Sequence, residues 1–92
     1  MVRGFKDKKT EGLFGGKAVK QFSGIKQAAE RKLTMLDSAV TLGDLRSPPG
    51  NCLEKLRGDR EGQHSIRINN QWRICFVWKE DGAYEVEITD YH

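Results

Sequence analysis

Three side chains that can take part in proton transfer stand together as Asp90-Tyr91-His92 at the C-terminal end of the sequence. They follow residues 84–88, whose alternation is typical of a β-strand that would hold them in place. A carboxylate or an imidazole can act as a general acid or base. Because chain ends usually fray and tolerate change, a solvated terminus is the competing interpretation.

The charge of the chain suggests what such a cluster could act on. It has 16 lysines and arginines against 13 aspartates and glutamates, which gives a net charge of +3. Basic domains of this size often bind nucleic acid, because Lys and Arg neutralise phosphates and release counterions. A solvated basic surface that only aids solubility explains the charge equally well.

Cleavage of RNA without a metal would need few groups. The 2′-hydroxyl attacks the adjacent phosphate, so the protein must remove one proton, donate another and stabilise extra negative charge. Asp90 and His92 could transfer the protons, while Arg57 and Arg73 could bind the phosphate through their planar guanidinium groups. Tyr91 could stack on a base or carry a proton.

Other kinds of site are not expected. The two histidines and two cysteines match no zinc-ligand spacing, and the acids are not clustered as magnesium ligands, so we expect no metal and no cofactor. Cys52 and Cys75 lie in or beside apolar, strand-like segments and indicate buried, reduced thiols of a cytoplasmic protein, with a disulfide as the less favoured alternative. No apolar run approaches the length of a membrane span, so we expect no signal peptide and no membrane partner.

Helical periodicity predicts the elements in the first half of the chain. Asp7 is expected to cap a short helix through Phe14, and Thr41 to cap a further turn. The clearest helix follows Gly24, and its apolar stripe consists of Ile25, Ala29, Leu33, Leu36 and Val40. Residues 47–51, which contain both prolines, are expected to end helical structure.

Two-residue periodicity predicts strands elsewhere. Short strands are expected at residues 2–5 and 53–56, and longer ones at residues 64–68, 72–78 and 84–88. By parity, the side chains that would face the helices are those of Ile66, Ile68, Trp72, Ile74, Phe76, Trp78, Tyr84, Val86 and Ile88. The other face would carry Ser65, Arg67, Arg73, Cys75, Glu85 and Glu87.

The order of strand, helices and meander predicts one α+β domain over residues 1–92, a small, mainly antiparallel sheet with two or three helices packed on one face. Parity turns Asp90 and His92 toward the helices, unless a bulge or fraying of the strand redirects them or the assignment of faces changes there. His64 is expected to be a hydrogen-bonded core histidine. The open face with Arg67 and Arg73 could form an RNA platform, although any half-exposed sheet carries such residues.

The chain contains, in this order, the motifs Gly58-Asp59-Arg60-Glu61-Gly62, Trp72-Arg73-Ile74-Cys75-Phe76 and Asp90-Tyr91-His92. Together with residues 3–8 and the mid-chain helix, they closely resemble HigB-type toxins of the RelE/ParE superfamily over essentially the whole chain. The resemblance implies a RelE-like fold and a ribosome-dependent endoribonuclease that cuts mRNA in the ribosomal A site. It also implies a HigA-type helix-turn-helix antitoxin as partner, besides mRNA and the small ribosomal subunit.

The resemblance also implies roles for single residues. Asp90-Tyr91-His92 would be the catalytic cluster, Arg73 would stabilise phosphate charge, and Arg57 stands where some members have a lysine. Glu54 occupies the position of a catalytic histidine in some members. A carboxylate there could act as a base but would repel phosphate, so we expect slower cleavage.

Two other functions compete with the nuclease. A non-catalytic relative, like the ParE toxins that bind DNA gyrase, is disfavoured by the complete terminal triad. A basic RNA-binding module without catalysis would use the same arginines, including Arg60, which could touch an RNA backbone or simply belong to a turn.

Overall fold

The computed structural model describes residues 1–90 and has two α-helices and four strands in that range. These are α1 (Lys8–Phe14), α2 (Lys26–Ser38), β1 (Glu54–Lys55), β2 (His64–Arg67), β3 (Trp72–Lys79) and β4 (Gly82–Asp90). Short 3-10 turns lie at Lys20–Ile25, Leu42–Arg46, Pro49–Asn51 and Gly58–Arg60. No helix in this range is long and apolar enough to cross a membrane.

The strands form one antiparallel sheet in the order β1-β2-β3-β4, so the predicted α+β fold is confirmed. The predicted N-terminal edge strand is present as two parallel bridges, Val2 with Ala83 and Phe5 with Val86. It therefore covers the outer edge of β4. Both helices pack on one face of the sheet, where buried side chains such as Leu33 of α2 form one hydrophobic core with the strands.

The helix boundaries follow their caps. The carboxylate of Asp7 accepts a hydrogen bond from the Thr10 backbone N–H at 2.6 Å, as the predicted N-cap requires. The prediction that Val40 belongs to the apolar stripe of α2 is wrong, since Val40 is 81% exposed. The helix ends at Ser38 and Ala39 is extended, so the helical spacing no longer holds at Val40.

The predicted end of helical structure is confirmed at Ser47, which is extended after the Leu42–Arg46 turn, although Pro49–Asn51 form one further 3-10 turn. Proline at the first position of the turn loses no needed hydrogen bond and already has a suitable φ. Cys52 follows in the left-handed region, with φ of 45°, and its thiol is exposed, so the prediction of a buried thiol is wrong for Cys52 and confirmed for Cys75. The turn places residues 51 and 52 beside the sheet, where the backbone carbonyl of Cys52 accepts a hydrogen bond from Arg73.

A β-bulge interrupts the pairing of β3 with β4 between Cys75 and Val77, and Glu85 has a positive φ of 50°. An extra residue shifts strand parity by one. Ala83 therefore lies in the core, and the prediction that Tyr84 faces the helices is wrong. The Tyr84 hydroxyl instead donates to Asp81 at 2.6 Å at the surface.

His64 lies on the helix-facing side of β2, opposite Phe76, and its ring stacks on the Phe76 ring at a centroid distance of 6.2 Å. The prediction of a hydrogen-bonded core histidine is wrong for Nδ1, which is buried and has no partner among residues 1–90. Burial, and then the positive charge of Lys55, lower the pKa of His64. The fold therefore favours the neutral imidazole.

Candidate functional site

The predicted site residues converge on the end of the sheet where β3 begins and β4 ends. In the ladder, Trp72 pairs with Asp90 and Arg73 pairs with Thr89. Successive residues of a strand project to opposite faces. Asp90 therefore lies on the helix-covered face and Arg73 on the other face, one ladder step apart.

Arg73 is held firmly on the polar face. Its Nε donates to Ser65 Oγ at 2.8 Å, and its Nη2 donates to the backbone carbonyl of Cys52 at 2.6 Å. Nη2 also lies 3.9 Å from a carboxylate oxygen of Glu54. Only 11% of the Arg73 side chain is exposed, so the guanidinium is fixed in one orientation and its Nη1 is outside both hydrogen bonds.

Arg67 lies directly across the ladder from Arg73, on the same face. Its Nη2 donates to the side-chain carbonyl of Asn70 in the following turn. Like charges directly opposite each other destabilise a sheet. Two neighbouring guanidinium groups are therefore suited to an anion that both can contact.

The polar face is less open than its sequence indicated. Ser65 and Cys75 are both 0% exposed, although they point to this face. The turn before β2 crosses above them, since Arg60 Nη1 donates to Glu87 Oε1 of β4 at 3.0 Å. Burial is the main cause that raises the pKa of the Cys75 thiol. The open platform is thus confined to the end with Arg67 and Arg73.

The remaining basic residues of the predicted site are distributed around this end. Arg60 bonds Gln63 as well as Glu87, so it fastens the turn to the sheet. Arg57 is exposed at the start of the Gly58–Arg60 turn. The structure therefore groups Glu54 and Arg67 with Arg73 and places Arg57 along the same connection.

Asp90 ends β4 beside a pocket of about 670 Å³ at the sheet edge. Its Oδ2 accepts a hydrogen bond from Gln71 Nε2 at 3.0 Å. Phe22 and Trp72, which meet edge to face with ring centroids 5.5 Å apart, line the same pocket. The carboxylate is thus oriented by an amide above an aromatic wall. The other two predicted catalytic residues, Tyr91 and His92, lie outside the described residues.

Two contacts at this site, from the Cys52 carbonyl and from Gln71, were not predicted from the sequence. The carbonyl of Cys52 gives no signal in a sequence, because every residue has one. Gln71 could have been found, since it precedes Trp72, which pairs with Asp90 across the ladder. Within residues 1–90, no group of three or more His, Cys, Asp or Glu side chains is placed to hold a metal ion.

The small antiparallel sheet backed by two helices, with its basic polar end, agrees with the RelE-like toxin fold that the resemblance implied. A family model described as "RelE-like toxin of type II toxin-antitoxin system HigB" matches residues 3–92. The chain belongs to this HigB-like toxin family.

Similar proteins agree with this assignment. The chain is 48% identical over 61 residues to Toxin HigB-1 of Vibrio cholerae serotype O1, and 38% identical over 61 residues to Endoribonuclease HigB of Proteus vulgaris. Each alignment covers 66% of this chain, but only 64% and 65% of the respective relative. The matched segment therefore spans less than two thirds of the length of these relatives.

A solved structure supports the fold alone. The YoeB-YefM complex from Staphylococcus aureus contains a chain with a TM-score of 0.63 and 16% sequence identity. The match covers 100% of this chain and 98% of that chain.

Proposed function

We propose that this protein, as a single domain over residues 1–92, is the toxin of a type II toxin–antitoxin system. In this proposal it is a ribosome-dependent endoribonuclease that cuts mRNA in the A site without a metal and thereby inhibits translation and growth. Family membership and the relative named Endoribonuclease HigB support this function. The observation that carries it is the fixed guanidinium of Arg73, which lies beside Arg67 at the open end of the sheet.

The charge-stabilising part of the reaction falls to the polar face. During attack, the phosphate gains negative charge, and a donor already fixed in position stabilises that charge without reorganising. Ser65 and the Cys52 carbonyl fix Arg73, which leaves Nη1 to donate to a non-bridging phosphate oxygen. Arg57 and Arg67 would bind the RNA phosphates on either side of the cleaved bond. Arg60, which also contacts Glu87, would lie within reach of the same RNA backbone.

The proton-transfer part falls to the other face. A base takes the proton of the 2′-hydroxyl, and the 2′-oxygen forms a bond to phosphorus. The bond from phosphorus to the 5′-oxygen then breaks, and an acid donates a proton to the 5′-oxygen. Asp90 and His92 would act as base and acid, and Tyr91 would orient or stack the substrate. Because Asp90 and Arg73 are one ladder step apart, RNA would pass around the end of β3 and β4 to meet both.

The partners follow from the same proposal. A HigA-type helix-turn-helix antitoxin would hold the toxin inactive, and the small ribosomal subunit with its mRNA would present the substrate in the cytoplasm. The toxin–antitoxin family supports the first partner.

Mapping of mRNA 5′ ends after brief induction tests the proposal. We expect new ends at codon-periodic positions with the unaltered chain, and about 100-fold fewer with Arg73→Ala. Lys79→Ala, at the opposite end of β3, removes the same charge and should cut normally. An absence of new ends with the unaltered chain would reject cleavage, and ends without codon periodicity would reject ribosome dependence.

Deleting Tyr91-His92 separates the competing functions. A nuclease that uses His92 should lose both the new ends and its toxicity. Toxicity that survives this deletion would instead favour a poison that acts by binding a protein target, as the ParE toxins do.

A further inference from the structure

Positive side chains from two elements, α2 and β3, bond to the successive residues Asn51 and Cys52. Lys32 of α2 donates its ammonium to the side-chain carbonyl of Asn51. The next residue, Cys52, accepts the Nη2 of Arg73 from β3 on its backbone carbonyl at 2.6 Å. Two successive residues thus hold a lysine of the helix and an arginine of the sheet close to each other.

Asn51 is built to position Lys32. It is 0% exposed, and its amide donates to the backbone carbonyls of Leu45 at 3.1 Å and Ser47 at 3.3 Å. These two bonds fix which way the amide points, so its Oδ1 faces Lys32. An ordinary surface lysine is mobile, whereas this one is held in place.

Two further positive charges act on the Lys32 ammonium. The pKa of Lys32 is lowered by burial first, and then by the charges of Arg31 and Arg67. Arg31 is exposed on α2, and Arg67 pairs with Arg73 across the ladder. Glu54 contributes a negative charge to the same region, since its Oε1 lies 3.9 Å from Nη2 of Arg73. Repulsion of this kind is relieved when an anion binds.

We propose that Arg31 and Lys32 extend the phosphate-binding surface from Arg67 and Arg73 over the sheet edge onto α2. Single-stranded RNA would lie along it, with the cleaved phosphate at Arg73 and its neighbours at Arg67, Lys32 and Arg31. This deepens the proposed function and rests on it for the identity of the strand. Contacts to phosphates position a strand and carry no base sequence, so the surface would hold any codon.

Binding of the full chain to a fluorescent 12-nucleotide RNA, at several salt concentrations and without ribosomes, tests the surface. Each lost phosphate contact lowers the slope of log K against log salt by about 0.7 for a single strand. We expect Arg31→Gln and Lys32→Gln each to lower it by that amount and to weaken binding about three- to tenfold at low salt. Lys79→Gln is the matched control and should leave both unchanged. If all three variants lower the salt slope and the affinity equally, RNA is attracted by the net positive charge of the chain and not by this surface, and the proposal is overturned.

Cys52 provides a second readout that does not depend on folding of the lysine variant. Its thiol is exposed within the surface, whereas Cys75 is buried. A negatively charged methanethiosulfonate should modify Cys52 faster than a positively charged one, and Arg31→Gln should lower that ratio about threefold. Bound RNA should slow both reactions. Equal rates for the two reagents, or no protection by RNA, would overturn the proposal.

The two proposals fail in different ways. If the unaltered chain produces no new mRNA ends but loses RNA affinity with Arg31→Gln, the nuclease fails and this surface stands. If it cuts mRNA while Arg31→Gln binds RNA as tightly as the unaltered chain, the surface fails and the nuclease stands. Since Arg31 is exposed, its replacement should not perturb folding.

Discussion

The two faces of the β3–β4 ladder are held by different forces. On the helix-covered face, Ile74 and Val86 are 0% exposed and pack on the helices by apolar contact, which has little directional preference. On the other face, Arg73 is fixed by hydrogen bonds to Ser65 and Cys52, which demand definite angles. Apolar packing on one face thus gives the molecule its stability, while the other face holds a charged group in position.

Asp90 is the exception that joins the two faces. By ladder position it belongs to the helix-covered face, yet it is exposed at the end of β4. A pocket with Phe22 and Trp72 lies there instead of packed core. An acid on one face and a fixed arginine on the other can therefore meet one substrate only at this end of the sheet.

The largest expected effect is on stability and concerns Ile74. Ile74→Ala should lower the free energy of unfolding by about 3 kcal/mol, because it leaves a cavity in the core. Its neighbour Arg73 should matter far less for stability: Arg73→Gln should cost about 1 kcal/mol, typical of a few partly exposed hydrogen bonds. Urea unfolding followed by circular dichroism measures both. A greater loss for Arg73→Gln than for Ile74→Ala would mean that the polar face carries the fold.

The next effect is on cleavage and concerns Asp90. Asp90→Asn keeps a polar group beside Gln71 but removes the ability to exchange a proton, so cleavage on ribosomes should fall about 100-fold or more. Glu85→Gln, which removes an exposed carboxylate from the same strand away from this end, is the matched control and should change the rate less than threefold. Equal losses in the two variants would point to a general effect of lost negative charge on β4 in place of lost proton transfer at Asp90.

Most of the fold could be predicted from the sequence, because period and caps are local signals. The alternation of β3 and the N-cap at Asp7 each require only a few neighbouring residues to be recognised. The errors arose where one residue changes the register. Because of the bulge at Glu85, Ala83 lies in the core at the place predicted for Tyr84. Because α2 ends before Val40, that side chain is exposed.

The candidate site could be predicted only in part, since its contacts connect distant segments. Arg73 was expected on the polar face, but its partner at Cys52 is a backbone carbonyl that 3-10 geometry places there. The polar face is covered at Cys75 because the Arg60 side chain extends to Glu87, and no rule of residue spacing predicts that contact. Parity did turn Asp90 toward the helices, and the structure agrees for that residue.

A smaller effect concerns Glu54, whose carboxylate lies 3.9 Å from Arg73 and is 53% exposed. Removing a negative charge beside a bound phosphate should help, so Glu54→Gln should speed cleavage about threefold, and Glu54→His somewhat more since imidazole can also transfer a proton. Glu61→Gln removes the same charge from the nearby exposed turn and should have no effect. Unchanged rates for both Glu54 variants would show that this carboxylate does not weaken cleavage.

The smallest effect concerns pH and the helix-covered face. The pKa of His64 is lowered in the fold by burial and by Lys55, so below about pH 6.5 the unfolded chain takes up a proton that the folded chain resists. Stability should therefore be complete above that pH and decline as the pH falls through this range. Burial of a neutral ring in place of the imidazole, in His64→Phe, should reduce the shift in urea midpoint between pH 7.5 and 5.5. Exposed Asp44 and Asp81, whose pKa values are lowered by hydrogen bonds from the Thr41 backbone and the Tyr84 hydroxyl, lose their contributions only in more acidic solution. An unaltered shift in His64→Phe would assign the pH dependence to another group and leave the helix-covered face without a titrating residue in this range.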